Sequence, residues 1–370
     1  MSVVPGHARL AQLTSLRFFA ALLVLLSHLV FLQQSQSAAL RASYGFFFRQ
    51  GACGVTFFFI LSGFILTHAY EKALADGEVS VAVYLYRRLV RIFPLHLLMA
   101  LAVLAYLVWR GDPPPLHAIA LNLSLLHSWS SDPIVHYSLN GPSWSLSDEL
   151  FFYALFPLLV KVDRRVLGWF FVSGMVAIAI GACVAAMRID GYSPFVDWLF
   201  YVFPLTRLFE FIAGILLYRA WRQGTGRTFA SSGTEVVLVL LILAVMIAVE
   251  WFAMPPAFRY QLIFMPPMGA LVLVFAYGRG ALSRLLRHPS LQLLGEASFA
   301  LYLVHRPMVI FMERWAGRGT AADIGLAAAM FLLSITASIV TYFLLDRPTG
   351  RWFRRIERVL FRRRLSSLEA

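Results

Sequence analysis

Ten stretches of predominantly apolar residues, separated by short breaks that hold most of the charge, limit what this chain can fold into. A helical run of about 20 apolar residues matches the hydrocarbon thickness of a bilayer. In lipid, only helices or closed barrels satisfy every backbone N–H and C=O. The runs cover 14–34, 54–70, 92–109, 145–162, 166–187, 196–218, 235–252, 260–277, 294–313 and 323–345. They predict an all-α, polytopic integral membrane protein of about ten transmembrane helices, the second and third short enough to be tilted or partly interfacial. With 60% hydrophobic and 14% charged residues among 370, a water-soluble core could not hide the apolar surface. No second soluble domain and no repeat is visible, so residues 1–346 read as one membrane domain and 347–370 as a basic tail.

The first run could be mistaken for a secretory signal, because Arg17 precedes an apolar stretch and Ser35 to Ala39 is rich in small residues. A disposable signal core has no reason to contain Arg17 and His28, which favours a retained helix. Basic residues accumulate in cytoplasmic loops, and an inside N-terminus puts 23 of the 32 Lys and Arg there. Both chain ends are therefore expected in the cytoplasm. The same topology accounts for the net charge of +13 without nucleic acid as a partner. The segment Arg354 to Arg364 is expected on anionic lipid headgroups. Cys53 and Cys183 match no metal-binding spacing and read as two membrane-buried thiols; no metal site is predicted. The longest break, Gly111 to Ser143, would face outward.

An ionisable side chain in hydrocarbon costs at least about 2.5–3.5 kcal/mol, so each one needs a partner or a purpose. Arg17 and His28 are 11 residues apart and project from one helical face, about 16 Å apart along the axis. Alone, Arg17 reads as a snorkelling anchor and His28 as a core histidine. Together they suit chemistry: a guanidinium fits phosphate or a polarised carbonyl, and an imidazole takes a hydroxyl proton near neutral pH. Glu149 lies at a similar depth in the fourth run and is read either as the carboxylate that supports His28 or as a helix-dipole residue, whereas capping explains Asp148. Arg207 and Glu210 form a structural pair at i, i+3. Ser298, Tyr302 and His305 make a polar stripe that lines a cavity or ties helices together. Arg88 and Arg91, one turn apart beside Arg87, can grip a polyanion such as the phosphates of a nucleotide carrier. No Walker loop, dinucleotide fingerprint, GxSxG elbow or HExxH occurs. The spacing of His127 and Asp132 is one used by lipid acyltransferases, but one such match is near chance and it falls on the outer side.

The residues resemble a known family, the membrane-bound acyltransferase family 3, whose members O-acylate sugars and other small acceptors. Arg17 and His28 match its Arg-x10-His, and FFFILSGFIL at Phe57 to Leu66 is similar to its FxLSGF segment. Arg88-x-x-Arg91 with Pro94 resembles its Arg-x-x-Arg element, WSLSDELFFY its Trp-Ser-Leu-x-x-Glu block, and LGEASFALYLVH its LGxxSYxxYLxH block. Asp148 stands where members often carry an apolar residue, and Phe299 replaces a common Tyr. The resemblance implies a multi-pass protein of the bacterial inner (plasma) membrane with no bound cofactor. It implies acyl-CoA, usually acetyl-CoA, as a donor entering from the cytoplasm. The acceptor would be a hydroxyl of a surface or exported polysaccharide or its lipid-linked precursor. Arg87, Arg88 and Arg91 would hold the donor and Arg17 would lie on its path. His28, supported by Glu149, would deprotonate the acceptor or carry the acyl group. Trp144, Ser298, Tyr302 and His305 would meet the substrate. The alternatives are a transporter or flippase for a lipid-linked saccharide, and a non-catalytic sensor with the same cavity.

Overall fold

The computed structural model describes residues 10–189 and 191–365, with side chains through Leu360. Arg9 and the side chains of Arg362, Arg363 and Arg364, counted above on the basic side, lie outside the described residues. No strand occurs among the described residues. The main helices are α1 (Ala11–Ser27), α2 (Cys53–Ala75), α3 (Val81–Trp109), α4 (Trp144–Leu159) and α5 (Arg164–Arg188). They continue with α6 (Pro204–Arg222), α7 (Ser232–Trp251), α8 (Met265–Tyr277), α9 (Pro289–Met312), α10 (Thr320–Thr341) and α11 (Arg347–Leu365). Each predicted run falls on a helix. Among the described residues, seven helical stretches are long and apolar enough to cross a membrane. The exceptions are α1, of 17 residues, α4, of 16, and α9, which carries Glu296, His305 and Arg306.

The third run is longer than its apolar residues predict. Ser80 caps α3, its Oγ accepting from the Val83 N–H at 3.3 Å, so the helix includes Arg87, Arg88 and Arg91 and passes through Pro94. The first run is shorter: α1 stops at Ser27 with His28 as its C-cap, followed by the 3₁₀ turn Val30–Gln34.

The centre of the protein is built on close backbone approach. A Cβ on Gly63 of α2 would lie 2.0 Å from the Phe211 carbonyl oxygen of α6, and one on Gly214 would lie 2.0 Å from that of Ile60. A Cβ on Gly295 of α9 would lie 2.1 Å from the Thr14 carbonyl oxygen of α1. Hydrocarbon provides no hydrophobic drive between helices, so such small-residue contacts supply the dispersion that holds them. Gly63→Ala is therefore expected to cost at least about 1–3 kcal/mol, read as a lower melting temperature in detergent and less monodisperse protein. Unchanged melting would show that α2 and α6 separate without penalty.

Arg219 of α6 secures the end of α4, its guanidinium donating to the Val160 and Val162 carbonyls at 2.7 and 2.9 Å while its Nε bonds Glu71 at 2.8 Å. Helices α5, α7 and α10 turn Ile180, Leu240 and Leu332 outward, as an apolar belt facing lipid requires. Cys53 is buried inside the protein, and Cys183 lies on the exposed surface of α5. The 111–143 segment is tied down by polar bonds. Asn122 receives His96 Nε2 on its carbonyl at 3.0 Å and donates from its amide to the Ser138 carbonyl at 2.8 Å, and Asn140 reaches the Leu303 carbonyl of α9 at 2.9 Å.

Candidate active site

Two cavities meet at Arg88 and Arg91. The larger, of about 990 Å³, opens at the basic end between the start of α3, the end of α10 and helix α11. The smaller, of about 110 Å³, runs inward between α1, α2, α4 and α9, where Arg17, Ser62, Glu149, Tyr153, Ser298 and Tyr302 line it. Both cavities include Arg88 and Arg91 in their walls. Arg88 donates to the Tyr70 hydroxyl at 3.0 Å with its guanidinium over that ring. Arg91 pairs with Asp346 at 2.9 Å and lies over the Phe299 ring, 4.6 Å from its centroid. Arg87 is held by a two-pronged bond to Glu357 of α11, Nη2 to Oε1 at 2.6 Å and Nε to Oε2 at 3.0 Å.

Glu149 faces the inner cavity, not the imidazole. It accepts from the Tyr153 hydroxyl at 2.8 Å, one helical turn on, and its charged neighbours are Arg17, Arg91 and Arg88. Three guanidinium groups around one carboxylate leave the chamber with an excess of positive charge, suited to an anionic or oxyanionic occupant.

His28 meets another histidine. Its Nδ1 lies 2.8 Å from the Val24 carbonyl oxygen and 3.4 Å from Nε2 of His305, with ring centroids 5.0 Å apart. Nδ1 of His305 lies 3.1 Å from the Leu301 carbonyl oxygen. Carbonyls accept only, so both Nδ1 atoms carry the proton, and His305 Nε2 is left to accept the other share of the His28 N–H. His28 Nε2 is thereby the atom with a free lone pair. Arg17 and His28 both turn toward α9, Arg17 beside Phe299 and Tyr302 and His28 on His305. The inner cavity reaches Arg17 but not the imidazole: its walls extend to Phe58 and Tyr302 and do not include His28. These rings lie 5.9 Å apart, and Tyr302 is 6.1 Å from His305. The predicted Glu149 support of His28 is replaced in this geometry by His305.

The remaining predicted residues divide between cavity wall and packing. Ser298 lines the cavity and bonds the Gly295 carbonyl at 2.8 Å; Tyr302 joins Ser145 Oγ at 2.8 Å and the Pro142 carbonyl at 3.0 Å. Trp144 is outside that wall: it packs edge-on against Phe59 and Tyr201. Arg207 and Glu210 pair at 2.9 Å with both side chains fully buried, and the guanidinium is boxed by Phe59, Trp144, Tyr201 and Tyr260. Asp148 is no exposed cap; it is completely buried with Arg207 and Glu210 as charged neighbours. His127 and Asp132 separate, His127 bonding Ser143 and Asp132 capping the short helix Pro133–His136. On helix α11, expected on lipid headgroups, Arg354, Arg355 and Arg358 line the vestibule. No group of three His, Cys, Asp or Glu suited to a metal ion occurs among the described residues. Sequence reasoning missed Tyr153, Asp346 and Glu357; of these only Tyr153, at i+4 from Glu149, carried a local signal.

A multi-helix membrane protein with a charged chamber between its helices and a histidine pair beside it narrows the class to intramembrane enzymes and transporters. Comparison with known proteins supports the first of these. The family described as "Acyltransferase domain" matches residues 10–343. The chain belongs to this family, the membrane-bound acyltransferase family 3. It is 30% identical to the acyltransferase MdmB of Streptomyces mycarofaciens over 94% of this chain and 93% of that protein. It is 27% identical to the exopolysaccharide production protein ExoZ of Rhizobium meliloti over 83% of this chain and 92% of that protein. Against the peptidoglycan O-acetyltransferase OatA of Listeria monocytogenes it is 24% identical, covering 70% of this chain and 45% of that longer protein. No solved structure matches.

Proposed function

We propose that this chain is a membrane O-acyltransferase of the bacterial inner membrane, with ten membrane-crossing helices and both ends in the cytoplasm. It takes an acyl group, most simply acetyl, from cytoplasmic acyl-CoA. It passes the group to a sugar hydroxyl of a surface or exported polysaccharide, or of its lipid-linked precursor. The observation that carries this reading is the wide basic vestibule that narrows at Arg88 and Arg91 into a chamber walled by Arg17 and Glu149, one layer of rings from the His28 and His305 pair. The names of OatA and ExoZ support a polysaccharide acceptor.

In this reading Arg88 and Arg91 bind donor phosphate at the neck, where charge-assisted bonds are strongest. The thioester arm continues toward Arg17, which stabilises the oxyanion formed at the carbonyl. Nε2 of His28 takes the proton of the acceptor hydroxyl as its oxygen bonds the carbonyl carbon; the carbon–sulfur bond breaks, and the departing thiolate is reprotonated. His305 positions the imidazole, whose tautomer the Val24 carbonyl fixes, while Glu149 holds the guanidinium groups in place. Displacement of the Phe58 and Tyr302 rings opens the route between donor and base.

Purified full-length protein supplied with labelled acetyl-CoA and isolated surface glycan is expected to transfer label only when glycan is present. Vectorial movement of a lipid-linked saccharide without label transfer would instead establish the transporter. Arg91→Ala is expected to raise the KM for acetyl-CoA about tenfold or more while sparing turnover at saturation, as loss of one charged hydrogen bond implies. An unchanged KM would remove Arg91 from donor binding.

A further inference from the structure

Helix α11 lies beyond the inner chamber, and the chemistry above makes no use of its arginines. At 100° per residue, Arg347, Arg351, Arg354, Arg355 and Arg358 fall within an arc of about 100°, and Ile356 and Leu360 lie on the opposite side. All five arginines line the larger cavity. The helix is pinned across the cavity by the Arg87–Glu357 pair and by the Tyr86 hydroxyl, which donates to the Phe353 carbonyl at 3.2 Å. Among the described residues the vestibule's ion pairs are Arg87–Glu357 and Arg91–Asp346, and none reaches the arginine face of α11. That face is a row of guanidinium groups turned toward a chamber whose inner end is the Arg88 and Arg91 neck.

We propose that α11 is the nucleotide-phosphate wall of the donor site. Resting on the acyl-CoA reading, the assignment gives the neck arginines the phosphates nearest the thioester arm. The face of Arg354, Arg355 and Arg358 takes the terminal phosphomonoester on the ribose. A phosphomonoester presents a charge near −2 and three acceptor oxygens, which arginine forks match better than any other side chain. The chain thus selects its donor by the far end of the carrier as well as by the acyl group. It needs its own C-terminal helix for tight donor binding.

The test is equilibrium binding of three probes to full-length protein in phosphatidylcholine nanodiscs: coenzyme A, 3′-dephospho-coenzyme A and 4′-phosphopantetheine. Wild-type protein is expected to bind coenzyme A about tenfold more tightly than the dephospho form, the value of one charge-assisted contact. The R354Q/R355Q/R358Q variant is expected to bring these two affinities together and to leave that for 4′-phosphopantetheine unchanged, which also shows that the neck is still folded. Retention of the tenfold preference in the variant overturns the assignment. If the arginine face instead serves lipid headgroup phosphate, the preference survives and the substitutions reduce only the anionic lipid retained from phosphatidylglycerol discs; that result also overturns it. Absence of coenzyme A binding to wild-type protein removes the donor reading itself, an outcome distinct from equal binding of coenzyme A and its dephospho form, which removes only the role of α11.

Discussion

His28→Ala is expected to lower acyl transfer by about 10²–10⁴-fold, the range a positioned general base supplies, while protein abundance and elution profile stay as in wild type. The imidazole caps α1 and is only partly buried, so its removal leaves the helix contacts of Leu25 and Leu29 intact. His305→Ala should have a smaller effect on the maximal rate. Its Nε2 shares the His28 proton and helps orient the ring without meeting the acceptor. His305→Gln, which keeps an acceptor at that position, should recover part of the loss. Label-transfer rates of the three variants at saturating donor measure this. Full activity of His28→Ala would end the role of the imidazole, and failure of glutamine to rescue would leave His305 as packing alone.

Arg207→Met is expected to destabilise the folded protein by about 3–5 kcal/mol, the cost of breaking a buried pair and leaving a charge uncompensated. Arg207 and Glu210 have no accessible side-chain surface, and Asp148 adds a second buried carboxyl nearby. Thr56 Oγ1 at 3.4 Å and four aromatic rings complete the box. The double variant R207M/E210M is expected to regain much of the loss, because two apolar side chains of similar volume relieve both desolvation penalties. Melting in detergent, followed by fluorescence-detected size exclusion, separates these outcomes. A single Arg207→Met variant as stable as wild type would show that the pair is dispensable.

The helices were legible in the sequence because hydrophobic length is a local property: α5, Arg164–Arg188, lies within two residues of its predicted 166–187 at each end. Errors arose where polarity faced a protein interior. Arg87, Arg88 and Arg91 read as a boundary, yet α3 carries them inside the helix because they turn toward a cavity and not toward lipid. Pro94 lies inside α3, where its missing N–H is tolerated. For the candidate site, the residue types were legible and their pairings were not. His28 and His305 are 277 positions apart, and Arg91 and Asp346 are 255 apart. Nothing in local spacing distinguishes those partners from others, so depth alone leaves Glu149 open between supporting His28 and meeting the helix dipole. Helical periodicity specifies a face, and packing decides what that face touches.

The Phe58 and Tyr302 rings, which stand between the arginine chamber and the histidine pair, bear on the energetics of the whole cell. A bore lined with fixed positive charge and open at both ends would short-circuit the membrane by passing small anions. In the proposed outward transfer, these two aromatic side chains would seal the bore and rearrange briefly in each catalytic cycle, so that an acyl group crosses while the proton-motive force is conserved.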